Sequence, residues 1–373
     1  MSRIRIEMRD KDFNVKEILD KEYYDLRWSY ARIGGCGDFS FSIPRKRFEE
    51  RAIRGENNIR VYYRDPETDT WGLRYQGLIN NKIPVIRGNS ENMQISGHGY
   101  INQLSRVYLN NVSYTSQEAS VIVKNILDNY VTTDTNVSYS ASDLEATSFT
   151  FDSLAFNDNS LTAMQKIADT VGEREWGVDA NRKFYFKARS ETIGFRYFLG
   201  KQIRNFEDNQ DFSEIINRVF VQGAQVGGTY HFFGPYNDVP SQTKYNIRTR
   251  VVQNSSVTTS TVGSQIGTSV LSEFSEVSRK ASCDLINISA QLEATTPIAL
   301  FNEISRKIKY GQKKYGTFLY SGLVNRLINK INYSVTNNGN LETSIELGQQ
   351  RPSLAEQLGQ LEYKLEQTRS AAL

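Results

Sequence analysis

The segment Tyr-Gln-Gly-Leu-Ile-Asn at Tyr75–Asn80 returns 245 positions later as Tyr-Ser-Gly-Leu-Val-Asn at Tyr320–Asn325. Four of the six residues are identical, and the other two are Gln/Ser and Ile/Val exchanges. A six-residue match alone could be coincidence. However, both copies read as strand, turn, strand ending in the shared segment, then a strand, an Asn/Gly-rich turn and a strand closed by glycine. Self-similarity in this order predicts one β-rich unit used twice.

The composition is that of a folded protein with much sheet. A chain of 373 residues predicts two or three domains. Its 21 Tyr and 19 Phe, against 7 Pro, favour strands, where aromatic side chains fit a half-buried surface. The net charge of +3 excludes a chain-wide electrostatic attraction to nucleic acid and leaves a local basic patch open.

The two cysteines, Cys36 and Cys283, form no C-x-x-C pair and are expected to be small core residues. The N-terminal segment is charged throughout and does not read as a signal peptide. No apolar run reaches the roughly 20 residues that a membrane helix requires. The sequence therefore predicts a soluble protein made in a cytoplasm.

Residues 1–112 read mostly as strands. Phe39, Phe41 and Ile43 alternate with serines, which is typical of a half-buried strand. Two hairpins follow, one turning over residues 65–70 and the other at residues 88–89.

Residues 113–202 read as a small mixed α/β domain. Thr115 and Glu118 match a capping box and predict that a helix begins at Thr115. A second helix is predicted from Ser160, and a strand–turn–strand unit follows with its turn at Ala180 and Asn181.

Residues 203–350 return to strands. Val219 and Val221 alternate with polar or aromatic neighbours, and a helix is predicted inside the region, near 264–282. Three strand-like runs follow, and the Asn-Gly pair within residues 336–340 predicts a hairpin turn between the last two.

Residues 351–373 predict a C-terminal helix with Pro352 in its first turn. Four leucines at spacings of four, three and four form a coiled-coil seam barely two heptads long: Leu354, Leu358, Leu361 and Leu365. Such a short helix is marginal alone. It would pack against copies of itself or a groove on a neighbour, or else lie on its own domain.

Several segments resemble the baseplate or tail hub proteins of tailed bacteriophages and contractile injection systems. Residues 160–189 are similar to that family's helix, Trp-bearing strand and hairpin ending in aromatics. Residues 34–44 resemble a first-barrel strand, residues 216–225 the strand that opens a second barrel, and residues 341–358 the closing strand and C-terminal helix.

The resemblance implies an α+β, β-rich fold, with two tube-type antiparallel β-barrel domains at 1–112 and 203–350 flanking the α/β domain. It also implies a homotrimeric ring whose six barrels dock under the sixfold tail tube. The implied partners are a tail tube or distal tail protein, a spike, needle or tip protein, and transient double-stranded DNA in the lumen. The implied location is the virion tail tip, assembled in the bacterial host cytoplasm.

The residues predict no catalytic, cofactor or metal site. The glycine-rich segment at residues 34–40 precedes a strand and lacks the dinucleotide fingerprint, so it predicts a tight bend or bulge. His98 and His231 are isolated, and no zinc-binding motif contains them. Two acidic pairs are expected to be solvated loop charges: Glu173 with Glu175, and Asp208 with Asp211.

Interface residues are therefore the expected functional residues. They are the leucine seam and the two repeated hairpin tips, which run from Asp65 to Thr70 and from Gln312 to Lys314. Two alternatives stay open. A receptor- or carbohydrate-binding tail protein should expose an aromatic shelf, and a cell-wall hydrolase should carry a catalytic motif, which the sequence does not show.

Overall fold

The chain folds as a β-rich α+β protein, as the sequence predicts. The computed structural model describes residues 3–45, 57–64, 69–87, 90–147, 150–171, 174–188, 196–198, 203–226, 228–253, 260–285, 307–309, 323–324, 328–336 and 340–348.

The strands within these residues are β1 (Ile4–Arg9), β2 (Val15–Leu19), β3 (Tyr24–Ala31), β4 (Gly34–Pro44), β5 (Asn58–Arg64), β6 (Trp71–Arg87), β7 (Ser90–Gly99), β8 (Tyr108–Glu118), β9 (Ser138–Leu144), β10 (Thr150–Asn159), β11 (Arg174–Val178), β12 (Lys183–Ala188), β13 (Arg196–Phe198), β14 (Ile203–Asp211), β15 (Arg218–Val226), β16 (Thr229–Asn237), β17 (Thr249–Gln253), β18 (Ser278–Leu285), β19 (Lys307–Lys309), β20 (Leu323–Val324), β21 (Ile328–Val335) and β22 (Leu341–Gly348). The α-helices are α1 (Ala119–Ile126), α2 (Ser160–Val171), α3 (Val239–Tyr245) and α4 (Ser260–Phe274). A 3-10 helix spans Tyr100–Arg106, and α1 continues through a π-turn at Leu127–Val131 into Thr132–Asp134.

Fourteen strands form the largest sheet. Its main path runs in the order β14-β18-β22-β21-β3-β4-β7-β6-β5-β1-β2, and β11, β12 and β9 attach beside it. Three smaller sheets are β10-β8, β13-β19-β20 and β16-β15-β17. Strands from both ends of the sequence thus share one hydrogen-bonded sheet.

Two parts of the main path have the same strand order, and we name them the first ladder (β3-β4-β7-β6) and the second ladder (β14-β18-β22-β21). Every pairing within each ladder is antiparallel. The preceding strands also correspond in chain order: β5 pairs with β6, and β19 pairs with β20, which precedes β21 but lies in the separate β13-β19-β20 sheet. The ladders meet where β21 pairs antiparallel with β3. This correspondence supports the repeated unit predicted from the sequence.

The first copy of the repeated segment lies in β6 at a close approach between strands. Tyr75 is buried, and its hydroxyl donates a 2.6 Å hydrogen bond to the carbonyl of Gly37 in β4. A Cβ atom on Gly77 would lie 2.6 Å from the carbonyl oxygen of His98, so this position requires glycine. Of the second copy, the described residues include Leu323–Val324, which form β20; the rest lies outside them.

The predicted hairpins are present. β5 and β6 pair as far as Arg64 and Trp71, and β6 and β7 as far as Arg87 and Ser90. The last hairpin, β21 to β22, is closed by a 2.9 Å backbone hydrogen bond from Thr336 to Asn340. In each case the strand pairing continues to, or close to, the last described residues on either side of the predicted turn.

The glycine-rich segment forms the predicted tight bend. Gly34 and Gly35 have φ of +102° and +77°, a region that L-residues other than glycine rarely adopt. A Cβ on Gly35 would also lie 2.1 Å from the carbonyl oxygen of Val178, because β11 pairs with β4 there. The bend thus docks the α/β region against the main sheet.

The helix expected from Thr115 begins later, and the Thr115–Glu118 capping box is wrong. Thr115 lies in β8 and pairs with Ser153 of β10, because this ladder continues to Glu118. Glu118 itself caps α1, accepting from the backbone N–H of Ser120 at 3.0 Å and of Val121 at 3.2 Å. The predicted start at Ser160 is confirmed.

The region between β14 and β18 holds a separate small sheet, and we name residues 212–277 the insertion. It contains β15, β16, β17, α3 and α4. Helix α4 ends at Phe274, and residues 278–285 form β18 because they pair with β14 and β22. The helix predicted near 264–282 therefore exists, but its C-terminal end was placed too late.

Buried side chains form three clusters. The first joins both ladders, with Phe41 and Ile95 from one and Ile331 and Ile345 from the other. The second lies in the α/β region and includes Tyr100, Leu104 and Leu109, although the sequence places these before its boundary at 112. The third belongs to the insertion. The two-barrel arrangement and the domain boundaries stay predictions.

Candidate functional site: exposed strand edges and an aromatic face

The second half of β6 forms an exposed strand edge. Residues 71–78 pair with β5, whereas residues from Asn81 to Arg87 pair with β7 alone within the described residues. Ile83 and Ile86 are 50% and 62% exposed here. An exposed apolar strand edge is a template for pairing with another chain. Among the described strands, the far ends of the main path, β14 and β2, are edges as well.

The sequence predicted this hairpin, but Ile83 and Ile86 were not identified as interface residues. Pro84 was the available signal. Proline cannot donate to a ladder, so a proline inside a strand pattern indicates an edge. Pro84 lies in β6 between the two exposed isoleucines.

The joint between the ladders shows how such an edge is covered within the chain. Residues from Lys330 to Ser334 of β21 pair with residues from Arg27 to Ala31 of β3. Trp28 stacks on Tyr333 with ring centroids 5.0 Å apart and planes 13° apart. Stacked aromatic pairs stabilise by about 0.5–1.5 kcal/mol beyond their burial.

The insertion exposes an aromatic face on its small sheet. Val219 and Val221 of β15 are buried toward α4, so Phe220 and Gln222 face the opposite side. On that side Phe232 is 58% exposed and Val251 is 44% exposed. Gln253 donates to the Gln222 side chain at 3.2 Å. This is the exposed aromatic shelf expected of the receptor- or carbohydrate-binding alternative.

The described residues include two positions of the sequence-predicted hairpin tips, Asp69 and Thr70. Thr70 ends the first tip. It is exposed beside Asp69, whose carboxylate binds Arg64 at 2.5 Å. The others lie outside the described residues: Asp65, Gln312, Lys314, Leu354, Leu358, Leu361 and Leu365. Their role stays a prediction.

One expectation about acidic residues is wrong. Glu175 is not a solvated loop charge: it is 2% exposed and lies in β11, where pairing with β12 draws it into the α/β core. Asp208 and Asp211 lie in strand β14 and not in a loop. Glu173 lies outside the described residues.

The polar groups that could carry chemistry have ordinary structural roles. His98 Nδ1 lies 2.6 Å from Asp38 Oδ1 on the surface, where β7 pairs with β4. Burial raises the pKa of the Cys36 thiol, and it raises that of Cys283 to about 12. Both thiols are free and buried, as expected of small core residues.

Within the described ranges, no three or more His, Cys, Asp or Glu side chains are grouped as a metal site. In the same part of the chain, no helix has the length and apolar character needed to span a bilayer.

No protein-family model matches this sequence, and no curated protein matches it in sequence. Its fold is similar to that of the 43 kDa tail protein of prophage MuSo2 from Shewanella oneidensis, with a TM-score of 0.65 and 11% identity over 93% of this chain and 96% of that one. A tail protein from Neisseria meningitidis MC58 matches with a TM-score of 0.60 and 9% identity, over 93% of this chain and 96% of that one. Prophage tail protein gp18 from Listeria monocytogenes EGD-e matches with a TM-score of 0.54 and 14% identity, over 98% of this chain and 100% of that one.

The chain therefore has the fold of prophage tail proteins over nearly its whole length. This confirms the resemblance seen in the sequence at the level of the fold.

Proposed function

We propose that this chain is the non-enzymatic structural hub of a phage tail tip or baseplate. In this role three copies form a ring that adapts the sixfold tail tube to a threefold spike, needle or tip. The observation that carries the proposal is the repeated ladder, found in a fold shared with prophage tail proteins. Two like units per chain and three chains give the six like units that a sixfold ring requires.

The joint inside the chain suggests how neighbouring chains meet. Ile95 of β7 and Ile345 of β22 are both fully buried and lie in the middle of their strands. Ile95 pairs with Lys82 of β6, and Ile345 pairs with Ile331 of β21. The exposed edge of β6 thus corresponds to the edge of β21 that pairs with β3. The strand that covers β21 is β3, the first strand of the first ladder. The corresponding first strand of the second ladder is β14. The exposed edge of β6 would therefore pair with β14 of a neighbouring copy.

This pairing is head-to-tail, so it forms a closed ring when the rotation between copies is 120°. Closure would cover both free ladder ends, with one donor missing at Pro84. We expect the permanent interface to bury on the order of 2,000 Å² or more.

The other parts have assigned roles in the same proposal. The two tube-type barrels contain the two ladders, within 1–112 and 203–350. The hairpin tips near Thr70 and Gln312 contact the tail tube or distal tail protein, and the helix at 351–373 contacts the next component. Double-stranded DNA passes through the lumen of the virion tail, which is assembled in the host cytoplasm.

The test is solution mass by light scattering, with the chain alone and with its tube protein. The wild type should have three times the chain mass when alone, or three chain masses plus the mass of the bound tube protein when that protein is added. Ile83→Asp combined with Ile86→Asp should give a folded monomer, because the ring would bury two carboxylates. Val15→Asp combined with Ile18→Asp, on the exposed edge β2, is the matched control and should stay trimeric. A wild type that stays monomeric with tube protein refutes the proposal.

The aromatic face supports a second candidate, a receptor- or carbohydrate-binding tail protein. Exposed aromatic rings beside amide side chains suit sugar rings, which present apolar faces and hydroxyl groups. The test is binding to host cell-surface glycans. Phe232→Ala should abolish binding, whereas Ile247→Ala, at a similarly exposed site away from β16, should not. Equal binding by both variants would remove this candidate.

A further inference from the structure

Two arginines meet where the main sheet packs against the α/β region. Arg60 lies on β5, cross-strand from Gln76 on β6. Arg182 lies in the turn between β11 and β12, and its Cζ is 4.0 Å from the ring centroid of Phe13 and 5.9 Å from that of Tyr100. Five parts of the chain therefore converge on one cluster.

Neither guanidinium has a carboxylate partner within the described residues. Glu7 is the cross-strand neighbour of Arg60 on β1, but its carboxylate binds Arg5 at 3.3 Å and Arg9 at 2.7 Å. The side chain of Arg182 donates one hydrogen bond within the described residues, to the carbonyl of Asn136 at 3.4 Å.

The donors of this cluster are also buried without acceptors. The Nε atoms of Arg60 and Arg182 have no hydrogen-bond partner in the described part of the chain. Tyr100 and Gln76 are 0% and 1% exposed. Burial raises the pKa of the Tyr100 phenol to about 12, and the nearby Gln76 amide offsets part of that rise, although no well-formed hydrogen bond joins the two side chains.

Like charges at partial burial are costly without a counter-charge. Burial lowers the pKa of Arg182, and repulsion from Arg60 lowers it further. Folding therefore holds two cations together against their repulsion, and an anion would relieve that cost.

We propose that Arg60, Arg182, Gln76 and Tyr100 form a binding site for a small oxyanion of the phosphate or carboxylate class. The planar guanidinium groups would bind two oxygens each, and the phenol and amide would donate to those remaining. A bound oxyanion bridges β5 and β6 of the main sheet to the β11–β12 turn. It therefore stabilises the contact between the ladder region and the α/β region. This inference does not depend on trimer formation.

The experiment is a thermal-unfolding titration with sodium phosphate, sodium acetate or sodium chloride at matched ionic strength. Phosphate should raise the Tm above the chloride value in a saturable way. A rise with acetate as well would identify carboxylate as a second ligand of the same site, such as an acidic side chain of another molecule. No rise with either anion overturns the proposal.

Arg60→Gln is the decisive variant, and Arg250→Gln, an exposed arginine of β17 in the insertion, is its matched control. Arg60→Gln should weaken phosphate binding at least tenfold, whereas the control should bind as the wild type does. In chloride alone, Arg60→Gln should unfold at the wild-type Tm or above, because it removes the repulsion. A phosphate effect that survives in Arg60→Gln, or a lower Tm for this variant in chloride, overturns the site.

Discussion

The two ladders have the same strand order but differ at one connection. In the first ladder, β3 reaches β4 through a turn at Arg32 and Ile33. In the second, β14 reaches β18 through the insertion, which has its own sheet and its own buried cluster. The pairing of β14 with β18 still runs from Asp211 and Ser278 to Ile203 and Leu285. The tip of a hairpin can thus accept a folded insertion while the ladder keeps its register.

The ladders also differ at their open sides. The edge of β21 is covered by β3, whereas the corresponding edge of β6 is exposed. Equivalent strands therefore have unequal surroundings, and the variants below measure that inequality.

The largest expected effect separates the covered edge from the exposed one. Ile331→Pro should lower the free energy of unfolding by on the order of 5 kcal/mol, because it removes a buried side chain and a donor between two paired strands. Ile83→Pro should lower the free energy of unfolding of the monomer by about 1 kcal/mol, since β7 is the one described strand that pairs with β6 at this position. Urea unfolding followed by circular dichroism measures both. Equal losses would mean that the two edges are not different in the monomer.

The next effect compares middle strands. Phe41 pairs with Ile95 in the first ladder, and Cys283 pairs with Ile345 in the second. Phe41→Ala should lower the free energy of unfolding by about 3–5 kcal/mol, because it leaves a large cavity. Cys283→Ala removes one small group and should cost about 1 kcal/mol. Chemical denaturation tests the ratio, and a larger loss for Cys283→Ala would place the better-packed core in the second ladder.

A third variant tests whether the insertion folds as a separate unit. Asn217 is fully buried, donates to the carbonyl of Asn246 at 2.7 Å and accepts from the Arg248 N–H at 2.7 Å. Asn217→Ala should cost about 1–3 kcal/mol. Hydrogen exchange should become faster in residues 212–277 and stay unchanged in the first ladder. Faster exchange throughout both ladders would show that the insertion and the sheet unfold together.

The smallest effect depends on pH. Burial raises the pKa of Cys283 from its ordinary value of 9.0 to about 12, so the folded chain keeps this proton at pH values where the unfolded chain loses it. The contribution of this buried, protonated thiol to the free energy of unfolding is complete below pH 9 and is lost between about pH 9 and pH 12. The stability lost by the wild type from pH 8 to pH 10 should exceed that lost by Cys283→Ala by about 1 kcal/mol. An identical pH dependence would show that this thiol is not buried in solution.

Several local features were predictable because they depend on neighbouring residues. The alternation at Phe39 and Phe41, the start of α2 at Ser160 and the Asn-Gly hairpin follow from side-chain period, capping and turn chemistry. The start at Thr115 was wrong because long-range pairing of β8 with β10 overrides a local capping pattern. The burial of Glu175 was missed for a similar reason, since its surroundings come from distant strands.

The candidate interface was less predictable than the fold. The hairpin between β6 and β7 could be identified, but its exposed edge depends on where β5 stops pairing, and that is a tertiary property. The arginine cluster brings together residues that are far apart in sequence, from Phe13 to Arg182.

The sequence by itself determined the β-rich class and the strands that pair as hairpins, because strand period and turn chemistry act over a few residues. The tertiary structure decided that the two ladders join through β21 and β3, which edges stay open and where charge is buried. The physical reason is that backbone pairing between distant strands, and the desolvation that accompanies it, depend on which surfaces meet.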